Sequence, residues 1–306
     1  MVSEKSQVTV FSSNFSQGFA RFGGISCFIE NYNIQSTFTN CIFINNSALD
    51  TLIDLTNSQI IISGSTIENN SNIFLSASAA SQIIFQDSQI KNHVCNVNDV
   101  GCLLNAYDNS IITINGVTLF NLLSLVGEGT IYSDGAEINL INSRFYGLKN
   151  INYIGSCVSL YSSILMVDNS SFEGYDLNCI FSTKKSQIEV SFSNFTQNNY
   201  QFSTYINEYG TIFCEDCLVF YVNSSFFGYN SKISLGSGIY LTSTKSSSYF
   251  DSETSLICNS YFLSNSALVQ GGAIYVDDQN VTIIMNVFQN NTSDNGGAIF
   301  FDNSGI

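Results

Sequence analysis

The sequence predicts an all-β fold: a single-stranded parallel β-helix of about eleven turns, each roughly 25 residues long. Three observations lead there. The unit Gly271-Gly272-Ala273-Ile274-Tyr275 returns 25 residues later as Gly296-Gly297-Ala298-Ile299-Phe300. An apolar anchor recurs at Phe15, Phe43, Ile67, Ile90, Leu119, Phe145, Phe172, Phe195, Phe226, Phe262 and Phe288. Seven and five residues before most anchors stands an apolar pair, and period-two alternation marks a strand with one buried face.

The elements of one turn follow in order. The first strand carries the pair: Val8/Val10, Ile60/Ile62, Ile83/Phe85, Ile112/Ile114, Ile138/Leu140, Leu165/Val167, Ile188/Val190, Val219/Tyr221 and Val281/Ile283, with Ser36/Phe38 and Ser255/Ile257 departing from the rule. The offset from the second member to the anchor is odd, so an unbroken strand would turn the anchor outward. A bend is required, and Asn40, Gly64, Asp87, Gly116, Asn142, Asn169, Asn223 and Asn259 supply residues that tolerate one. The second strand holds the anchor, and stacking turn on turn places Phe15, Phe43, Phe145, Phe172, Phe195, Phe226, Phe262 and Phe288 in an internal ladder. Two residues later come Asn45, Asn69, Asn92, Asn121 and Asn290, or Gly147, Gly174 and Gly228. These asparagines read equally well as amides stacked from turn to turn or as exposed turn residues. A third apolar strand follows, as in Leu52–Leu55 or Cys157–Leu160. Eleven turns at ~4.8 Å give a rod on the order of 50 Å long.

The Gly-Gly-Ala-Ile units and the Phe-x-x-Asn units Phe43 to Asn46, Phe262 to Asn265 and Phe288 to Asn291 resemble the repeats of chlamydial polymorphic outer membrane proteins. The resemblance is strong over 255–306 and degenerate before it. It implies a right-handed helix of the pectin-lyase-like kind in a secreted or surface adhesin. The chain departs from the bacterial family in showing no membrane barrel.

Composition narrows the function. The net charge is −15 with only nine Lys and Arg, which disfavours nucleic acid and anionic membrane surfaces as partners. No run approaches the ~18 apolar residues of a membrane helix, and no signal peptide leads the chain. The last repeat stops halfway, so the chain reads as one β-helix domain, 1–306, cut from a longer protein. Insertions near 93–102, 198–210 and 242–254 break the rhythm.

Candidate chemistry is sparse. Cys102, Cys157 and Cys179 take a small inward position and read as buried thiols. Cys95 with Cys102, and Cys214 with Cys217, have the spacing of local disulfides, and nine cysteines leave at least one unpaired among themselves. His93 is the single histidine and reads as structural. Asp134, Asp277, Asp278 and Asp302 follow the third strand at similar phase, a weak offer to Ca²⁺, with turn capping the commoner role. No metal centre, cofactor or catalytic constellation is expected. Sequons begin at Asn14, Asn45, Asn69, Asn169, Asn194, Asn223, Asn280, Asn290 and Asn291, and in a secreted protein several would carry glycans.

The expected function is therefore an extracellular structural or adhesive scaffold, part of a surface coat or filament, whose partners are other copies, flanking domains or glycans. The alternatives are a polysaccharide lyase or hydrolase on the same fold, and a carbohydrate-binding module using Tyr200, Tyr205 and Tyr209.

Overall fold

The bend demanded by the odd offset is a single left-handed residue. Asn40, Gly64, Asp87, Gly116, Asn142 and Asn169 all take φ between 45° and 66°. Each turns the chain out of a first strand and into a second one, so that both strands point their apolar residues inward. The computed structural model describes residues 2–4, 7–20, 26–29, 35–95, 101–120, 123–124, 129–147, 156–175, 178–198, 209–231, 233–244 and 254–302. It divides into two compact units, Met1–Tyr146 and Gly147–Ile306. The described residues contain strands and no helix, hence no helix long and apolar enough to cross a membrane.

In the first unit the three main strands of a turn enter three different sheets, short extra strands at Phe19–Ala20, Val94–Cys95 and Leu123–Ser124 join the third sheet, and strands pair in parallel with their counterparts one turn away. First strands run Thr9–Phe11, Gln35–Thr39, Gln59–Ser63, Gln82–Gln86, Ile111–Asn115 and Glu137–Ile141. Second strands run from Asn14–Ser16 through Ile42–Ile44 to Arg144–Tyr146, and third strands from Val2–Glu4 through Ser47–Thr56 to Gly129–Asp134. The register puts like on like: Ile60 beside Ile83, Ile83 beside Ile112, Ile112 beside Ile138. The second unit repeats this arrangement, with first strands from Ile164–Asp168 to Thr282–Ile284, second strands from Ser171–Glu173 to Val287–Gln289, and third strands from Ser156–Tyr161 to Ile299–Asp302. A short added pair, Ile233–Leu235 with Ala267–Gln270, lies just before the third strands there.

The described residues thus form a parallel β-solenoid of about nine turns, slightly fewer than the eleven expected. Phe43, Ile67, Ile90, Leu119 and Phe145 in the first unit, and Phe172, Phe195, Phe227 and Phe262 in the second, are fully buried anchors. Phe15 and Phe288, in the outermost described turns, are only half-buried.

One anchor is corrected. Phe227 and not Phe226 faces inward, stacked at 4.9 Å on Phe195 and 5.0 Å on Phe262. The same one-residue slip makes Phe220 and Val222 the buried pair in place of Val219 and Tyr221, and moves the left-handed corner from Asn223 to Ser224. The second unit's column is Phe172, Phe195, Phe227, Phe262 and Phe288, with centroids 4.8–5.0 Å apart and rings within 10° of parallel. In the first unit Phe15 stacks on Phe43 at 5.0 Å, and the aliphatic anchors Ile67, Ile90 and Leu119 come before Phe145.

Of the two readings of the recurrent asparagine, the turn residue is the one that holds. Asn45, Asn69, Asn92 and Asn290, two residues past the anchor, are left-handed corner residues with φ of 51–54°. Turn-to-turn amide bonding belongs to the next position. In the first unit Asn46 Nδ2 donates to Phe15 O (2.8 Å) and to Asn70 Oδ1 (3.0 Å), and Asn70 Nδ2 donates to Phe43 O (2.8 Å). In the second, Asn198, Asn230, Asn265 and Asn291 donate to Phe172, Phe195, Phe227 and Phe262 O, and each accepts from the backbone N–H one turn earlier. The Phe-x-x-Asn unit therefore encodes one stacked ring and one stacked amide. A serine column, not expected from the sequence, does the same two residues before the anchor. Ser65, Ser88, Ser143, Ser170, Ser193, Ser225 and Ser260 each bond their own turn's carbonyl two residues back. Six of these hydroxyls also accept from the preceding turn, and one of the donors is Cys41 N–H.

Candidate functional site

The outer face of the third sheet in the second unit gathers the most side-chain chemistry among the described residues. Along these strands the isoleucines Ile180, Ile212, Ile239, Ile274 and Ile299 point inward. Alternation then puts Phe181, Phe213, Tyr240, Tyr275 and Phe300 outward in one register row. Two residues on, the same face carries Glu215, Thr242, Asp277 and Asp302 in a second row. The Gly-Gly pair sets the close stacking behind it. Gly271 sits at φ +62°, and a Cβ on Gly272 would lie 2.0 Å from Gly297 O.

The rings form a continuous contact. Phe181 stacks on Phe213 at 5.0 Å, Phe213 meets Tyr240 edge-on at 5.2 Å, Tyr240 meets Tyr275 edge-on at 4.9 Å, and Tyr275 stacks on Phe300 at 5.9 Å. Tyr209 lies over Phe213 at 4.3 Å. The three central rings are 4–9% exposed, so the row braces the acidic edge and does not present open ring faces. Tyr275 Oη donates to Asp302 Oδ2 (3.1 Å), and Thr242 Oγ1 to Asp277 Oδ2 (3.4 Å). Burial, then the Asp278 and Asp302 carboxylates, hold the Asp277 carboxyl above its usual range. Burial, with the Asp277 charge next, pushes the Tyr240 phenol up to about 12, and burial with the Asp302 charge raises Tyr275 further. This edge offers carboxylate and hydroxyl acceptors held by a rigid sheet.

The remaining sequence candidates are scattered. Asp134 lies in the first unit, beside Tyr107 on the third sheet, and Asp277, Asp278 and Asp302 come together in the second. Among the described residues no three His, Cys, Asp or Glu could hold a metal ion. Cys214 and Cys217 are joined in a disulfide. The Asp216 carboxylate between them accepts from Ser243 Oγ (2.9 Å), Thr244 N (2.9 Å) and Thr244 Oγ1 (2.6 Å), fixing the root of the 242–254 insertion. Cys102 is disulfide-bonded, while the side chain of Cys95 lies outside the described residues. Cys157 and Cys179 are fully buried free thiols, the first pushed up to about 12 by burial. Most of the three insertions, with Tyr200 and Tyr205, also lies outside the described residues, as does Asn121.

His93 stands three residues past its anchor Ile90, in the asparagine column, fully buried and edge-on to Phe74 at 6.4 Å. Its Nε2–H donates to Asn72 O, and Nδ1 has no partner among the described residues. Burial lowers its pKa to about 4. The sequence signal for this placement was the Phe-x-x-Asn spacing itself, read one turn along.

Compared with known proteins, the chain matches the Chlamydia polymorphic membrane protein repeat at residues 259–277 and 287–302. No curated protein matches it significantly. The first match spans Phe262, Asn265 and the Gly271-Gly272-Ala273-Ile274 unit, and the second spans Phe288, Asn291 and Gly296-Gly297-Ala298-Ile299. Over both stretches the chain is similar to that repeat, and within them lie residues that stack rings, bond amides and let neighbouring turns close on each other.

Proposed function

We propose that this chain is part of a surface-displayed, extracellular β-helix that acts as a non-enzymatic scaffold and adhesin. The observation that carries the reading is the fall of two polymorphic membrane protein repeats on successive turns of a parallel solenoid. Further support comes from the use of the interior polar residues: the Asn and Ser columns are committed to turn-to-turn hydrogen bonds and to holding the outer faces rigid. Partners are other copies, flanking domains or glycans. An antibody against residues 1–306 should label intact, unpermeabilised cells, and beads coated with the protein should adhere to a host-cell or matrix surface. Labelling only after permeabilisation would overturn the surface assignment, and beads that do not adhere would leave a scaffold without adhesion.

A second reading, carbohydrate binding, is favoured by the hydroxyl and carboxylate groups of the Tyr275–Asp302 pair. Asp302→Asn would then weaken retention on an immobilised neutral polysaccharide while leaving the fold intact.

A further inference from the structure

The sequon asparagines fall into structurally distinct classes, and two of those classes share a corner. Asn45, Asn69 and Asn290 begin the triplets Asn45-Asn46-Ser47, Asn69-Asn70-Ser71 and Asn290-Asn291-Thr292. All three sit two residues past an anchor, left-handed and exposed, with no side-chain hydrogen bond among the described residues. The residue in the middle of each triplet belongs to the amide column inside the corner. Asn291 is both: it is the middle of one sequon and the start of the next, Asn291-Thr292-Ser293. Its Nδ2 donates to Phe262 O at 2.9 Å, and its Oδ1 accepts from Asn265 N and Nδ2 at 3.0 Å each.

We propose that Asn45 and Asn69 in the first unit and Asn290 in the second are glycan acceptors at exposed corners, and that the fold forbids a glycan at Asn291. The inference rests on the extracellular reading above, since only a secreted chain meets the enzyme. In the transfer, the asparagine Nδ2 attacks the anomeric carbon of a lipid-linked diphospho-oligosaccharide. A C–N bond forms, the bond from that carbon to the diphosphate oxygen breaks, the lipid diphosphate leaves, and the displaced amide proton passes to a base of the transferase. The acceptor is modified before the turn closes. At the corner positions the sugar then points to solvent and the backbone closes beneath it. At Asn291 the modified nitrogen is the one that must reach Phe262 O inside the turn, so a chain carrying a sugar there does not complete the column. Asn45 and Asn69 stand on successive turns, about 4.8 Å apart, where two branched glycans crowd each other.

The test is expression of the whole chain in a glycosylating secretory host, with glycopeptide mass spectrometry of the secreted, protease-resistant protein. Occupancy is expected at Asn290 and at one or both of Asn45 and Asn69, with none at Asn291. Thr292→Ala removes the Asn290 sequon and leaves the Asn291 sequon intact, which separates structural exclusion from competition between overlapping sites. That variant should lose one glycan and gain none. Asn290→Gln should lose the same glycan and still fold, because Gln17 and Gln197 occupy the equivalent left-handed corner in other turns. A glycan on Asn291 in either form, or an unoccupied Asn290, or both Asn45 and Asn69 bare, would overturn the proposal. Because occupancy is read in a chosen host, such a failure is distinct from a failure of native surface labelling.

Discussion

His93 replaces an asparagine in a column built of amides, and it brings a titratable group where no charge is solvated. The unfolded side chain takes up a proton near pH 6.5, the folded one only near 4. Stability is therefore complete above pH 6.5, declines as the pH falls because the unfolded chain binds the proton first, and stops declining below about 4. A shift of this size corresponds to roughly 3 kcal/mol. His93→Asn restores the column residue, and denaturant titrations at pH 7 and pH 4.5 should show most of that acid loss removed. A wild-type pH dependence retained in the variant would show that other groups cause it. The slipped anchor makes a second comparison at this scale. Phe227→Ala opens the stacked column and should cost about 3–5 kcal/mol, whereas Phe226→Ala loses one outer contact with Tyr261, worth about 0.5–1.5 kcal/mol. Equal losses would contradict the inward assignment. The apolar pattern alone did not settle this register, because residues 218–222 and 226–227 are apolar in either frame. What decides it is polar: a serine stands two residues before either phenylalanine, but only Phe227 puts an asparagine, Asn230, three after.

At the scale of the element, the left-handed corner and the amide column sit one residue apart and have opposite tolerances. Asn290→Gly keeps the backbone conformation at exposed cost and should change stability by less than about 0.5 kcal/mol. Asn265→Ala strands the buried Phe227 carbonyl and the Asn230 N–H, each costing about 1–3 kcal/mol when unpaired. Thermal melts of the two variants should separate clearly, and similar melts would remove the column's structural role. Much of this element was legible in advance: the period-two strands, the obligatory bend and the inward anchor all follow from spacing. The outer aromatic row was not, because Phe181, Phe213 and Tyr240 read as ordinary members of a half-exposed strand until the register stacks them. Serine was equally opaque, since a residue that suits any loop gives no sign that its hydroxyl accepts a bond from the turn before. Nor does spacing alone reveal what the Cys214–Cys217 bridge holds: the carboxylate between the two sulfurs secures a segment 27 residues away.

At the scale of the whole molecule, the strand pairing among the described residues runs from each turn to its neighbours, so stability is nearly a sum of turn and interface contributions. In such an array a defect should spread by contact and fade with distance along the stack. Phe195 touches Phe172 on one side and Phe227 on the other at 4.8–4.9 Å, while Phe262 is one turn further and Phe288 two. Phe195→Ala should therefore lower the hydrogen-exchange protection of the strands Ser171–Glu173 and Phe226–Gly228 most, that of Tyr261–Leu263 less, and that of Val287–Gln289 least, each measured against its own wild-type rate. Uniform loss across the second unit would mean that it opens as a single cooperative body. A graded loss would show that ring, amide and hydroxyl columns act as local couplings, and that outer faces on distant turns can diverge in sequence while the interior beneath them keeps its register.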